Sequence, residues 1–415
     1  MIMRMRTYFG TSLLLAAFLF FIFPVAGRAA DNLFRFYPEI AGSGFYGDNV
    51  PMRTQNEEGD FAGTLVGGFF LDYTSAARYA SLHYDTFVQL FAQHSRFDRA
   101  GEGQFVRAND VENLSPTTKL RFDEVFYRDA PTVAGIVTSD QAPQFNSIAA
   151  QLLLANDQAS INQFGATLTH FWGRNWGSEV AVHQTTFWNN GGSNHVQNNT
   201  SYEQSVNTFT EYHFSDRFSL GAGYRFYDFR FTFPGRPGEQ AHWPFAKIAW
   251  QPLPRLYLSG IVGVVVSYTQ GNSRQAVNVG GLGVAEYDRE RWHFKIYGGQ
   301  QPELTSGFGA AGNIQEVRGI VLYDFTRRLT GSAGGGYYQA NGTGFNGQLV
   351  SWGVGLSDRL NKYLSVYTKF VQLRRNETTS SQFLPTGTQS GKEAVGDYFI
   401  VGFTASVEAF RWSWQ

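Results

Sequence analysis

No cysteine occurs anywhere in the 415 residues. Disulfide scaffolds, thiolate metal sites and thiol redox centres are excluded at once. Charge is sparse as well. Acidic and basic residues together make up 16% and almost cancel, leaving a formal net charge of −1. Nothing electrostatic therefore argues for nucleic acid as a partner. Long apolar runs are missing past residue 29. The longest there, such as 261–266, are strand-sized, well short of the ~20 residues a spanning helix needs.

Aromatics are abundant, as numerous at 16% as all charged residues together, and 46 glycines accompany them. That composition argues against disorder, which goes with few aromatics and high net charge. The first 29 residues read as an export signal. Arg4 and Arg6 form a basic start, 13–25 is apolar, and Pro24 precedes a small-residue cleavage site at Gly27-Arg28-Ala29. The expected organisation is signal peptide 1–29 followed by a single domain, 30–415.

Within that domain the hydrophobic period is two. In 255–269, Leu256, Leu258, Val262, Val264, Val266 and Tyr268 share one face, opposite Ser259, Gly263, Ser267 and Thr269. In 349–357, Val350, Trp352, Val354 and Leu356 oppose Ser351, Gly353, Gly355 and Ser357. Similar alternation runs through 79–91 and 292–300. Such segments are strands with one apolar and one polar face.

Two kinds of connection alternate between them. Short turns are read at 74–77, 115–118, 173–175, 215–217, 252–255, 288–291, 326–328 and 358–362. Long polar or glycine-rich loops are read at 46–60, 95–104, 131–159, 189–200, 234–242, 269–276, 301–313, 339–347 and 375–394. Eight hairpins, an opening strand near 33–45 and a closing strand near 396–412 give 18 strands. Short turns on one side and long loops on the other are the pattern of a transmembrane antiparallel up-and-down β-barrel, its turns periplasmic and its loops extracellular. Aromatics bunch beside the turns, Tyr73, Trp172, Phe214, Trp250, Tyr287 and Phe325 before them and Tyr79, Trp176, Phe218, Tyr257, Trp292 and Tyr363 after. Rings at one common depth suggest a girdle at the headgroup level.

Two places break the alternation. Apolar parity flips from Phe226 to Tyr227, which either a β-bulge or aromatics turned into the lumen would explain. It flips again between Val407 and Phe410, so 16 strands is the alternative count. The stretch 105–113 alternates poorly.

The run 113–131, NLSPTTKLRFDEVFYRDAP, and the hairpin before it, 61–98, FAGTLVGGFFLDYTSAARYASLHYDTFVQLFAQHSRFD, resemble the β-barrel porin-2 type of Gram-negative outer-membrane protein. The resemblance implies an outer-membrane barrel inserted by the barrel-assembly machinery, and an association with exopolysaccharide synthesis and export components. It brings no catalytic residues. The chain ends Phe410-Arg411-Trp412-Ser413-Trp414-Gln415, one place off the terminal aromatic that such barrels carry.

Reactive constellations are weak. His94-Ser95, Asp98 and Asp110 are neighbours in sequence without the spacing of a triad. Asp288-Arg289-Glu290-Arg291 reads as a solvated turn. GSAGGGYY (331–338) opens no helix, so it fails as a phosphate loop. The eight histidines are scattered with no metal-ligand spacing. No enzyme activity, metal or cofactor is expected. What remains is the polar face: His83, Asp85, Gln89, Glu179, His183, Arg225, Glu286, His293, Lys295, Glu316, Arg318, Tyr367 and Lys369 are the candidate lumen-facing residues. The expected function is an outer-membrane pore for a solute of saccharide or exopolysaccharide type. The alternative is a non-conducting barrel serving as a scaffold for polysaccharide export, in contact with outer-membrane lipid in either case.

Overall fold

Strands of 11 to 17 residues dominate because the alternating segments cannot bury their apolar face locally and must pair side by side. The computed structural model describes residues 32–48, 59–93, 99–128, 159–189, 199–232, 237–270, 275–305, 310–342, 345–379 and 393–414. The signal segment 1–29 and most of the loop 131–159 lie outside the described residues, as do His94, Ser95 and Asp98.

The strands run in chain order: β1 (Asn32–Gly47), β2 (Asp60–Thr74), β3 (Arg78–Phe91), β4 (Arg99–Ser115), β5 (Thr118–Arg128), β6 (Ala159–Phe171), β7 (Trp176–Asn189), β8 (Asn199–Ser215) and β9 (Phe218–Phe231). They continue with β10 (Glu239–Leu253), β11 (Leu256–Thr269), β12 (Gln275–Arg289), β13 (Trp292–Thr305), β14 (Ala310–Asp324), β15 (Leu329–Gly342), β16 (Phe345–Arg359), β17 (Leu364–Thr379), β18 (Glu393–Ser406) and β19 (Phe410–Trp414). From β1 to β18 each pairs antiparallel with the next, and β1 closes the sheet by pairing β2 on one side and β18 and β19 on the other. The last two are pieces of one closing strand, interrupted at 407–409, where Val407 and Ala409 still donate to the Pro38 and Phe36 carbonyls. The barrel therefore has 18 wall positions, all antiparallel, with no helix among the described residues. The interruption accounts for the parity flip near the C-terminal end.

All eight short turns fall where the sequence places them. Several are closed by local side-chain acceptors: Ser75 accepts from the Arg78 N–H at 3.0 Å, Thr326 from Leu329 at 2.9 Å, and Asn361 from Tyr363 and Leu364 at 2.8 and 3.0 Å. The loop ends differ from expectation. Strands extend to Thr305 and restart at Ala310, and they extend to Gly342 and restart at Phe345, inside stretches read as loops 301–313 and 339–347. Near those ends both faces carry polar residues, so the two-residue hydrophobic period disappears while the ladder continues.

Following register pair by pair around the barrel separates two faces. Outward lie Val262, Val264, Val350, Val354, Leu356, Phe399 and Val401, with Val354 48% and Phe399 54% exposed. Inward lie Gln89, fully buried, and Glu316 and Lys369, each 4% exposed. This is a soluble protein inside out. Leaving a valine or leucine side chain in water forgoes ~1.5–3 kcal/mol, so an all-round apolar exterior is stable only against hydrocarbon. In hydrocarbon the backbone must pair within the sheet, and closure provides that.

At the turn end aromatic rings stand side by side on the outside: Trp176 with Tyr212 at 5.0 Å and Trp292 with Tyr323 at 4.5 Å between centroids. Towards the loop end the outer face turns polar. Trp352 donates to Gln372 at 2.9 Å, and Gln372 to Asp397 at 2.7 Å. One outward patch departs from the apolar rule. Arg78 reaches Asp110 through two bonds of 2.9 and 2.6 Å beside the turn end, which explains why 105–113 alternates poorly. Asp110 is thus half of an ion pair.

Candidate functional site

The lumen is the one surface on which the barrel concentrates polar chemistry. Register places all thirteen candidate residues on the inward face of their strands. No bulge occurs at 226–227; there β9 pairs in unbroken register with both neighbours, and Tyr227 and Phe229 point into the lumen. The second of the two explanations offered for that parity flip is the structural one.

Two zones divide the lumen along its axis. The zone nearer the short turns is charged, with opposite signs interleaved. His83 lies 3.1 Å from Asp85 and 3.7 Å from Glu39, Lys295 lies 2.5 Å from Glu286, and Arg318 lies 3.8 Å from Glu316. His293 sits lower, 2.8 Å from Asp288 of the turn. Aromatic faces take up several of the cations: Arg318 stands 4.5 Å over Tyr297 and Lys369 4.9 Å over Tyr367. Glu179 meets Thr169 at 3.5 Å, whereas Gln89, nearer the long loops, donates to Thr64 at 3.2 Å.

Partners absent from the sequence reading complete this belt. Arg35 meets Asp72 at 2.8 Å, and Lys247 meets Glu211 at 3.0 Å while standing 3.9 Å over Phe209. The alternation of β8, with Glu203, Ser205, Asn207, Phe209 and Glu211 on one face, carries a signal for Glu211. It was hidden because Phe209 interrupts the polar set.

The zone nearer the long loops is apolar and packed. Tyr227, Phe229, Ala241, Trp243, Phe245 and Val265 form one buried cluster, with Phe209, Phe231, Ile261 and Leu282 against it. Ile161 and Phe187 form another with Val125 and Tyr127. Leu349, Val371, Leu373, Tyr398 and Ile400 are buried on the same inward face further round. Arg225 marks the boundary, its guanidinium 5.1 Å over the Trp243 ring.

Here β13 approaches β8 across the lumen, although four strands separate them along the wall. Between them lies a cavity of about 240 Å³ lined by Asp123, His183, Glu203, Arg225, Tyr227 and Glu303 among others. Of the thirteen candidates only His183 and Arg225 meet in it. Glu303 lies within 301–313, which by its polar composition reads as loop, so the sequence does not point to it. Among the described residues no group of three metal-ligating side chains is found.

No family model matches the chain, and no curated protein matches it. Among solved structures it is similar to OccK2 (OpdF) of Pseudomonas aeruginosa, 12% identical over 91% of this chain and 98% of that one, with a TM-score of 0.44. It is also similar to the outer membrane protein OpdK of the same organism, 11% identical over 91% and 99% at a TM-score of 0.41. A mutant of its ferric enterobactin receptor PfeA is 10% identical over 90% and 80% at 0.40. By its own geometry the chain is a closed, antiparallel up-and-down β-barrel of 18 strands, apolar outside, with a charged zone and an apolar zone within.

Proposed function

We propose that this barrel sits in the outer membrane and passes a hydroxyl-rich solute of saccharide type through its lumen. The observation that carries the reading is the belt of interleaved charges and aromatic faces below the cavity. Paired carboxylates and cations present donors and acceptors of fixed direction without a large net field, which suits a neutral polyhydroxylated solute. Passage is diffusive, with the apolar zone as the constriction, and involves no reaction and no cofactor. Insertion would depend on the barrel-assembly machinery, and delivery of the solute on envelope polysaccharide export components.

The packed outer half also favours a second reading, a closed barrel that serves such export components as a scaffold. Planar-bilayer recordings of the refolded protein separate the two. Stable open steps, partly blocked by millimolar oligosaccharide, are expected of the pore. A silent membrane containing correctly folded protein would leave the scaffold.

A further inference from the structure

Pairing between β12 and β13 stops at Gly281↔Gln300. Both strands go on: β12 reaches Gln275, still paired with β11, and β13 reaches Thr305, still paired with β14. The rungs that would follow, from Gly280 opposite Gln301 to Ala276 opposite Thr305, are not made. Instead Gln301, Pro302 and Glu303 line the cavity together with Glu203 and Ser205 of β8, where β13 meets β8 across the lumen. The phase of the ladder shows which groups are left facing the gap. The Asp324 N–H donates to the Arg291 carbonyl beside the Trp292↔Tyr323 pair, so the even residues of β13 turn their backbone groups away from β14 and toward β12. The Asp288 N–H does the same with the Arg255 carbonyl beside Leu256↔Tyr287, so the odd residues of β12 face β13. Val277 and Val279 thus present their backbone groups to the gap. Pro302, due opposite Val279, can accept there but has no N–H to donate, and proline belongs where a strand is free to be an edge.

Each of the two seats open to this strand end offers something and withholds something. On β8, Pro302 is buried and Gln301 donates to Glu303 at 3.2 Å, but Glu303 shares the cavity with a like charge, Glu203. On β12, the strand end would recover its ladder, with Glu303 beside Asn278, yet one donor short at Pro302. Two incomplete seats are the condition for two states of similar energy. Gly298 and Gly299 stand where the strands part. A Cβ on Gly299 would collide with the Gly281 carbonyl oxygen, so the last shared rungs form a bare, close-packed pivot.

We propose that the loop-side end of β13 is a gate with two positions. Seated on β8 it narrows the passage; zipped onto β12 it completes the wall and widens the passage. The effect on passage rests on the pore reading above, whereas the two positions rest on the interrupted ladder alone.

The chain has no cysteine, so each position can be trapped separately. Glu303→Cys is combined with Glu203→Cys to hold the strand end on β8, or with Asn278→Cys to hold it on β12. A short, reductively cleavable bis-maleimide is applied to each variant in lipid, once its heat-dependent gel shift matches that of the parent. Both bridges are expected to form. The β12 bridge should raise single-channel conductance at least twofold, the β8 bridge should leave it at or below the unbridged value, and reduction should reverse both. Pro302→Ala supplies the missing donor and should raise the yield of the β12 bridge at least threefold. A β12 bridge that never forms while the β8 bridge goes to completion overturns the gate, as does equal conductance with either bridge in a conducting barrel. Bridges that both form, and respond to Pro302→Ala, in a barrel that never conducts would uphold the two positions and overturn the pore reading instead.

Discussion

The two zones of the lumen solve the same problem in opposite ways. Near the short turns, inward side chains are charged and meet partners on nearby strands, as Lys295 and Glu286 do on adjacent strands and Lys247 and Glu211 do across Gly221 of β9. Near the long loops, inward side chains are large and apolar and meet each other, as Trp243 and Phe245 do at 6.0 Å. An ion pair exposed to the lumen, such as Lys295 and Glu286, holds a shape weakly, because such a pair contributes ~0–1 kcal/mol, and it leaves room for solvent. An aromatic cluster holds its shape strongly and excludes water. Stability and occlusion are thus concentrated at one end, and solute contacts at the other.

The sharpest way to break that contrast is to empty the apolar zone. Trp243→Ala removes a fully buried ring, for which ~3–5 kcal/mol of destabilisation is expected. Urea titration in detergent or bilayer, read by the heat-dependent gel shift of the folded barrel, measures it. The same variant should raise single-channel conductance, since the ring stands at the constriction. A conductance equal to or below that of the parent would show that the apolar cluster does not set the passage.

A second test compares the two faces of one strand. Val264 of β11 points outward and Ser259 inward. Val264→Arg sets a charge against lipid and should cost ~2–4 kcal/mol if the residue lies near the midplane. Ser259→Arg places the same charge beside water and should change stability by less than ~1 kcal/mol. Similar costs for the two would contradict the assignment of inside and outside.

These contrasts were unequally legible in the sequence. Hairpin turns such as Thr326-Arg327-Arg328 and the lipid face of Val350 to Leu356 were readable, because a hydrocarbon solvent enforces strict alternation and local acceptors mark the turns. The charged belt followed from the opposite parity. The apolar zone did not. Where Phe229 and Ala241 face inward and Asp228 and Gln240 face outward, the alternation is inverted near the loop end, and at Trp243 and Phe245 both faces carry apolar or aromatic residues, so parity alone cannot assign the sides. The early end of the β12–β13 ladder, at Gly281↔Gln300, was invisible for another reason: Glu303 and its neighbours look like loop, and their approach to β8 depends on contacts across the lumen.

The smallest expected effect on stability comes from the charged belt, and there selectivity is the better readout. Lys295 and Glu286 are both substantially exposed to the lumen, 2.5 Å apart, so breaking the pair should cost no more than ~1 kcal/mol. Their influence on ions is a different quantity. Lys295→Gln removes a positive charge and leaves Glu286 facing the passage, so cations gain relative to anions and the reversal potential in a salt gradient shifts in the cation-selective direction. Glu286→Gln shifts it the opposite way. The exchanged pair, Glu286→Lys with Lys295→Glu, keeps both charges at nearly the same depth and should return the potential close to that of the parent. If neither single change moves the reversal potential, ions do not pass this ring. The charged zone would then be a structural lining, and the contrast between the two halves of the lumen would describe packing alone.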